Sequence, residues 1–389
     1  MNKILLVAFA VFLLANAAVD HGTPTAPDDW MMYVGTYTRA PSKGIYAYRF
    51  QGATGALTPA GTAGLVAETE NPSFLAVHPN QRFLYAVNEV SRYGGGAAGS
   101  VSAFSIDRAT GTLTLLNRVS SRGADPCHLS VDRSGKWLFV ANYSGGSVAA
   151  FPLHDDGTLG EASAFFQHAG RSVNKARQEG PHAHDGVLSP DNRFLLVADL
   201  GLDRVLRYRL DPAAGGLAPA EPSPAAVKPG SGPRHLAFRP DGKFVYVLNE
   251  MVPGVTAFRY DATGGTLTEL QTLSTLPEGV GGEEHSGAEI AVHPNSKFVY
   301  ASNRGHDSIA IFRIDAARGT LTPVDRVSTQ GKTPRSFAID PSGQFLIAAN
   351  QNSSTVVVFR IDQQTGRLTP TESRIQVPSP VSVVFVKVQ

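Results

Sequence analysis

The chain has 389 residues, with 34 Lys and Arg against 33 Asp and Glu, a formal net charge of +1. Charged residues make up only 17% of it and the basic ones are dispersed, so it carries no footprint for a nucleic acid or an anionic membrane surface. One cysteine, Cys127, excludes an intrachain disulfide framework, and the length leaves room for a core that needs no such staple.

The first segment reads as a secretory leader. Lys3 supplies a short positive region, residues 4–14 an apolar run, and Ala15-Asn16-Ala17 a small-x-small cleavage site. The run is too short to cross a bilayer, and no later segment is long and apolar enough to do so. The sequence therefore predicts a signal peptide over residues 1–18 and an exported protein, periplasmic or extracellular, with no membrane attachment after processing. A single folded domain is expected over residues 30–389.

Residues 32–37 and 44–50 read as two strands of an incomplete unit. A repeated phrase begins at Asn71-Pro72-Ser73-Phe74 and closes with the apolar run ending at Asn88. It returns from Pro126 to Asn142, from His184 to Asp199, from Pro233 to Asn249, from Gly287 to Asn303 and from Pro334 to Asn350. In most copies a third apolar run follows, then a turn of the type Gly111-Thr112-Leu113-Thr114 or Gly319-Thr320-Leu321-Thr322. A period of roughly 47–57 residues is that of a propeller blade with loop insertions. Within the copy opening at Pro233, residues 234–238, 243–248, 255–260 and 266–273 read as four strands, the first two joined by the Pro240-Asp241-Gly242 turn. The last residues, 381–386, are a strand with nothing after it. Pairing it with the N-terminal strands completes one more unit beside the six full copies. The fold class is therefore all-β, a seven-bladed propeller of four antiparallel strands per blade, closed by the C-terminal strand joining the N-terminal blade. No helical periodicity is present.

Three connections exceed a hairpin: 91–99, 167–180 with Arg171, Lys175 and Arg177, and 276–285 with Glu283 and Glu284. Long loops on a rigid ring are where function tends to sit. Departures from the repeat's own consensus point the same way. Where other copies open on small residues, one has Pro181-His182-Ala183-His184-Asp185, another Pro233-Arg234-His235, another Ala288-Glu289, another Pro334-Arg335. The closing Asn is followed by a charge at Asn88-Glu89, Asn249-Glu250 and Asn303-Arg304. Equivalent positions occupy equivalent heights on a ring, so these groups converge on one mouth of the central channel. Arginines, carboxylates and histidines together there make an anion-binding, proton-transfer site. His182 and His184 face one way on a strand and could hold a metal, but no third ligand has telling spacing and two arginines would repel a cation. Neither a metal nor an organic cofactor is expected. Cys127 has His128 beside it, but strand neighbours point to opposite faces, which disfavours a catalytic thiol.

Gly232-Pro233-Arg234-His235, Leu248-Asn249-Glu250, Asn303-Arg304-Gly305-His306-Asp307-Ser308 and Thr333-Pro334-Arg335 resemble the lactonase-type seven-bladed propellers, over about residues 30–389. That family includes 6-phosphogluconolactonase and the 3-carboxymuconate lactonizing enzyme. The resemblance implies hydrolysis of a sugar-acid lactone, and the chain is expected to be a monomer. In its muconate branch the implicated residues match His184, Arg234, Glu250 and Arg335 here; His182, His235, Glu289 and Arg304 are expected around them as substrate-binding neighbours. The arginines suit an anionic group and a developing oxyanion, and either Glu250 or His184 serves as base. A cycloisomerase and a non-catalytic envelope-binding propeller stay open as alternatives. A leader also sits awkwardly with a phosphorylated substrate, which is scarce outside the cytoplasm.

Overall fold

Four strands are buried at every position: Phe83–Asn88, Phe194–Asp199, Phe244–Asn249 and Phe345–Asn350. A strand with both faces covered needs a sheet on each side. The computed structural model, which describes residues 29–39, 41–61, 63–220 and 224–388, meets that need with a ring of seven antiparallel sheets. The leader expected over residues 1–18 lies outside the described residues.

Six of the seven sheets run in sequence order from the axis outward, the first takes its innermost strand from the C-terminal end of the chain, and two have their outer edge split. In the first blade Leu57–Pro59 and Leu65–Glu68 both pair with Gly44–Phe50. In the fourth, Gly216–Pro219 and Ala225–Ala226 both pair with Arg204–Asp211. The repeat pattern does not foretell either break. In the blade read strand by strand above, the elements are Pro233–Phe238, Phe244–Asn249, Gly254–Asp261 and Thr266–Ser274, as expected to within a residue or so. Among the described residues helical structure is confined to a 3-10 turn at Pro212–Ala214.

The C-terminal strand Pro380–Lys387 pairs antiparallel with Trp30–Thr36, from Trp30↔Lys387 to Val34↔Val383. It is the innermost strand of the first blade, and it packs against the innermost strands of the second and seventh. Seven apolar clusters fill the interfaces between neighbouring sheets, for example Tyr85 and Val87 against Leu129 and Leu138. The core is therefore distributed between blades, and no blade is complete without its neighbours.

Two repeat signatures acquire physical reasons. The glycine of the outer turn lies against an aromatic ring of the preceding blade in every blade but the second, where Gly111 meets Met31. Gly319 has φ 74°, and a Cβ there would come within 2.0 Å of Phe244, while its carbonyl accepts a hydrogen bond from Tyr246 at 3.1 Å. The closing Asn is buried and pins the incoming crossover: Asn142 donates to the Ser121 carbonyl at 3.1 Å and Asn350 to that of Thr329 at 3.2 Å. The fourth blade substitutes Asp199, which holds the His168 imidazole at 2.6 Å, and Tyr208 caps the far nitrogen of that ring at 2.9 Å.

Candidate active site

Most innermost strands carry a β-bulge at the same place, just inside the mouth. Pro126 pairs with Asn142 and His128 with Ala141, leaving Cys127 extra; likewise His184, Arg234, Arg335 and Val381 are the extra residues of their strands. A bulge sets two residues against one and re-aims the inserted side chain. His184 is thus in register with Arg234 and Arg335. A second ring comes from the residue after each closing position: Tyr37, Glu89, Tyr143, Leu200, Glu250, Arg304 and Gln351. The two rings meet around a cavity of about 350 Å³ lined by Glu89, Cys127, Tyr143, Arg177, His184 and Glu250, with Arg304, Arg335, Glu283 and Ser286 completing the wall.

Glu250 is its electrostatic centre. Its Oε2 lies 3.0 Å from Arg234 Nε and 3.0 Å from Arg304 Nη2, and its Oε1 lies 2.7 Å from Arg177 Nη2. Burial alone would raise the pKa of this carboxyl. Arg304 and Arg234, then Arg177, outweigh burial and hold it far below the usual carboxylate range. Burial also lowers Arg304, against the pull of Glu250 and with repulsion from Arg234 and Arg335, to about 10. The His184 ring is 4.0 Å from Glu250 through Nε2, beyond hydrogen-bond length. Burial, reinforced by Arg234, His235 and Arg335, pushes its pKa well below 6.5, so the imidazole is neutral at neutral pH. A permanently ionised carboxylate clamped by three guanidinium groups is a poor base; a neutral imidazole at a cationic wall is a competent one.

Below this tier the channel is packed. His235 Nδ1 meets Glu289 at 2.8 Å while its Nε2 accepts from Arg234 at 3.1 Å, and His128 Nε2 sits 2.9 Å from Asp185. Phe74, His128, His235 and His184 follow one another, the first pair tilted and the next two edge to face, with centroids 4.2–5.6 Å apart. The site is consequently open on the mouth side and floored by aromatic rings.

Residues 31–385 match the family model described as "Lactonase, 7-bladed beta-propeller". The chain belongs to the seven-bladed β-propeller lactonase family. Among its relatives, the 6-phosphogluconolactonase of Bacillus subtilis is 38% identical, the match covering 78% of this chain and 83% of the relative. The 6-phosphogluconolactonase of Formosa agariphila is 37% identical, over 79% of this chain and 85% of that one. The structure of the periplasmic gluconolactonase of Pseudomonas aeruginosa is 37% identical and superposes with a TM-score of 0.86, covering 93% of this chain and all of that one.

In this lactonase-family ring the eight residues singled out in the sequence occupy three different settings. His184, Glu250, Arg335 and Arg304 line the cavity. Arg234, 2% exposed, lies behind Glu250 and reaches it from within the wall, so it acts on the cavity through that carboxylate. His235 and Glu289 sit in the packed tier beneath Arg234 and do not line the cavity, and His182 stacks on Tyr143 with centroids 4.6 Å apart, its Nε2 3.2 Å from Glu179. None of these three is among the residues lining the cavity, and each is held by its own partners. Cys127, which strand alternation turns away from its neighbour His128, lies 3.8 Å from the ring of His184 in the next blade. Burial, then Glu89, raises its thiol pKa well above the ordinary value, so the thiol lines the site in its neutral form. Glu89 lines the wall as its place after Asn88 implies, while Arg177, singled out only as charge in a loop, and the uncharged Tyr143 join it there without having been assigned to the site from the sequence. The signals were present: a basic residue in the long loop 167–180, and the residue after each closing Asn.

Proposed function

We propose that the protein hydrolyses a sugar-acid lactone, as a 6-phosphogluconolactonase-like enzyme, and that it does so after export. The observation that carries the reading is a neutral His184 imidazole at a cavity wall that also holds Arg177, Arg304 and Arg335. His184 takes a proton from water as the water oxygen attacks the lactone carbonyl. The oxyanion that forms is stabilised by guanidinium groups, in a site where such donors are prepositioned. As the ring C–O bond breaks, the imidazolium returns its proton to the departing alkoxide, leaving a hydroxy acid that ionises. Arginine suits the carboxylate or phosphate of such a substrate, and Glu250 keeps the arginines in place rather than handling the proton.

A pH-stat assay over a panel of aldonolactones, with and without a terminal phosphate, tests the reaction. One proton released per lactone consumed is expected; consumption with no proton release would make the enzyme an isomerase and overturn the proposal. Export is supported by the leader-like residues 1–18 and by the periplasmic location stated for the Pseudomonas aeruginosa relative. Intact mass of the protein from the secreted or periplasmic fraction should place its start near Ala18 or Val19; a chain beginning at Met1 and confined to the cytoplasm would defeat that part.

A further inference from the structure

Arg335 is held by a device that the sequence patterns do not announce. Its Nη2 donates to the Tyr37 hydroxyl at 2.8 Å, and that hydroxyl lies 2.9 and 2.8 Å from the two oxygens of Glu89. Arg335 donates and a carboxylate only accepts, so the polarity of the chain is fixed: the tyrosine proton goes to Glu89 and its lone pairs face the guanidinium. The Arg335 guanidinium also lies over the Tyr37 ring, 5.2 Å from its centroid. Three blades contribute one residue each, so the contact depends on inter-blade placement, which Asn71 secures. Asn71 Oδ1 accepts from the Thr38 backbone at 2.9 Å, and its carbonyl accepts from the Glu89 backbone at 3.0 Å. It does so at φ 38°, a backbone region Asn tolerates better than most residues. The segments carrying Tyr37 and Glu89 are thus tied together by one side chain and its own backbone.

The position of Arg335 makes this clamp consequential. Arg335 and Glu89 line the 350 Å³ cavity and also a second cavity of about 400 Å³ beside it, bounded by Tyr37, Thr38, Asn71 and Gln351. We propose that Tyr37 and Glu89 are positioning residues that fix Arg335 at the junction of the two cavities, aiming its remaining N–H groups at the anionic group of the substrate. Arg234 is carried in a parallel way, by His235 backed by Glu289. The cation shared by both cavities is therefore set by a neutral phenol, with the balancing carboxylate one bond further away. That arrangement leaves Arg335 its charge for a ligand while denying it the direct ion pair that occupies Arg234. Burial raises the Tyr37 pKa, so the phenol stays protonated and the chain's polarity persists at neutral pH.

The kinetic part of this inference rests on the lactonase reading, so its test has an arm that does not. Tyr37→Phe keeps the ring and removes the hydroxyl. Labelling of Arg335 by phenylglyoxal, followed by peptide mass mapping on the folded protein, should run several-fold faster in Tyr37→Phe and in Glu89→Gln than in the unaltered chain. Unchanged labelling in both variants overturns the relay whatever the substrate is. In steady-state turnover, Tyr37→Phe should raise KM about tenfold with kcat nearly unchanged, and should add nothing in an Arg335→Ala background, because coupled residues are not additive. Full additivity, or an unaltered KM, would equally sink it. A chain that turns over no lactone yet shows the labelling difference separates the two ideas: the relay stands and the lactonase reading falls.

Discussion

His184 and Glu250 look interchangeable as acid–base candidates in the sequence, and their surroundings separate them. Glu250 receives three guanidinium groups, at 3.0, 3.0 and 2.7 Å, while His184 has no comparable partner among the described residues and is buried beside the same positive charge. The imidazole of the free enzyme should therefore stay active as a base well below pH 6.5. A bound substrate anion offsets the Arg335 and Arg234 charges and raises the His184 pKa. The acid limb of kcat, which reports the bound enzyme, should then lie at higher pH than that of kcat/KM. His184→Gln should abolish both limbs with the turnover, and identical limbs in kcat and kcat/KM would count against His184 as the base. The same depressed pKa acts on stability. The unfolded chain binds the His184 proton at about pH 6.5 and the folded chain only at lower pH, so below 6.5 the unfolded state holds more protons and stability falls as pH drops. His235 contributes with the same sign, and Glu250 adds its own loss below pH 4.5. His184→Gln should flatten part of the slope of melting temperature against pH between 6.5 and the folded pKa.

At the scale of the strand, the bulge decides what the site contains, and a bulge is not written in the apolar alternation. Counting along Pro126–Val131 with strict period two sends Cys127 and His128 to opposite faces and separates the thiol from any imidazole. The inserted residue lets Cys127 reach the mouth and meet His184 from the neighbouring strand instead. The same insertion brings His184 level with Arg234 and Arg335, where sequence counting leaves it within two positions. What the sequence does carry is the bulge's consequence, as polar residues directly after the Pro that opens the strand. Arg177 was legible only as charge in a long loop: its reach to Glu250 spans from the segment before the fourth blade to the fifth, and loop conformation has no periodicity from which to read it. His235 and Glu289 show the converse limit. Their departure from small residues marks them as unusual, but only packing shows that they serve Arg234 from beneath.

For the whole molecule, the closure that repeat counting suggests also assembles the site. The strand Pro380–Lys387 belongs to the N-terminal blade, and its approach fixes the end of Trp30–Thr36, where Tyr37 begins the mouth: the Tyr37 amide donates to the Ser379 carbonyl at 3.2 Å. Tyr37 reaches Arg335 across 298 positions of sequence, a contact that exists only in a closed ring. Removing residues 380–389 would strip the first blade of its innermost strand and expose the inner strands of the second and seventh blades, which pack against it. Val381 and Val386, 3% and 0% exposed, would go with it, and so would backbone pairing along Trp30–Thr36. Fully burying one such side chain is worth roughly 1.5–3 kcal/mol, so this loss approaches the whole margin of about 5–15 kcal/mol on which a folded protein rests. Blades share their cores in pairs, so damage at the seam propagates around the ring and does not stay local. The truncated chain should therefore melt at far lower temperature or fail to accumulate as soluble protein. Adding the strand back in trans as a peptide covering residues 377–389 should recover part of the melting temperature and, with it, the slow phenylglyoxal labelling of Arg335. A truncated chain with unchanged melting and labelling would show that the seam holds neither the ring nor the site.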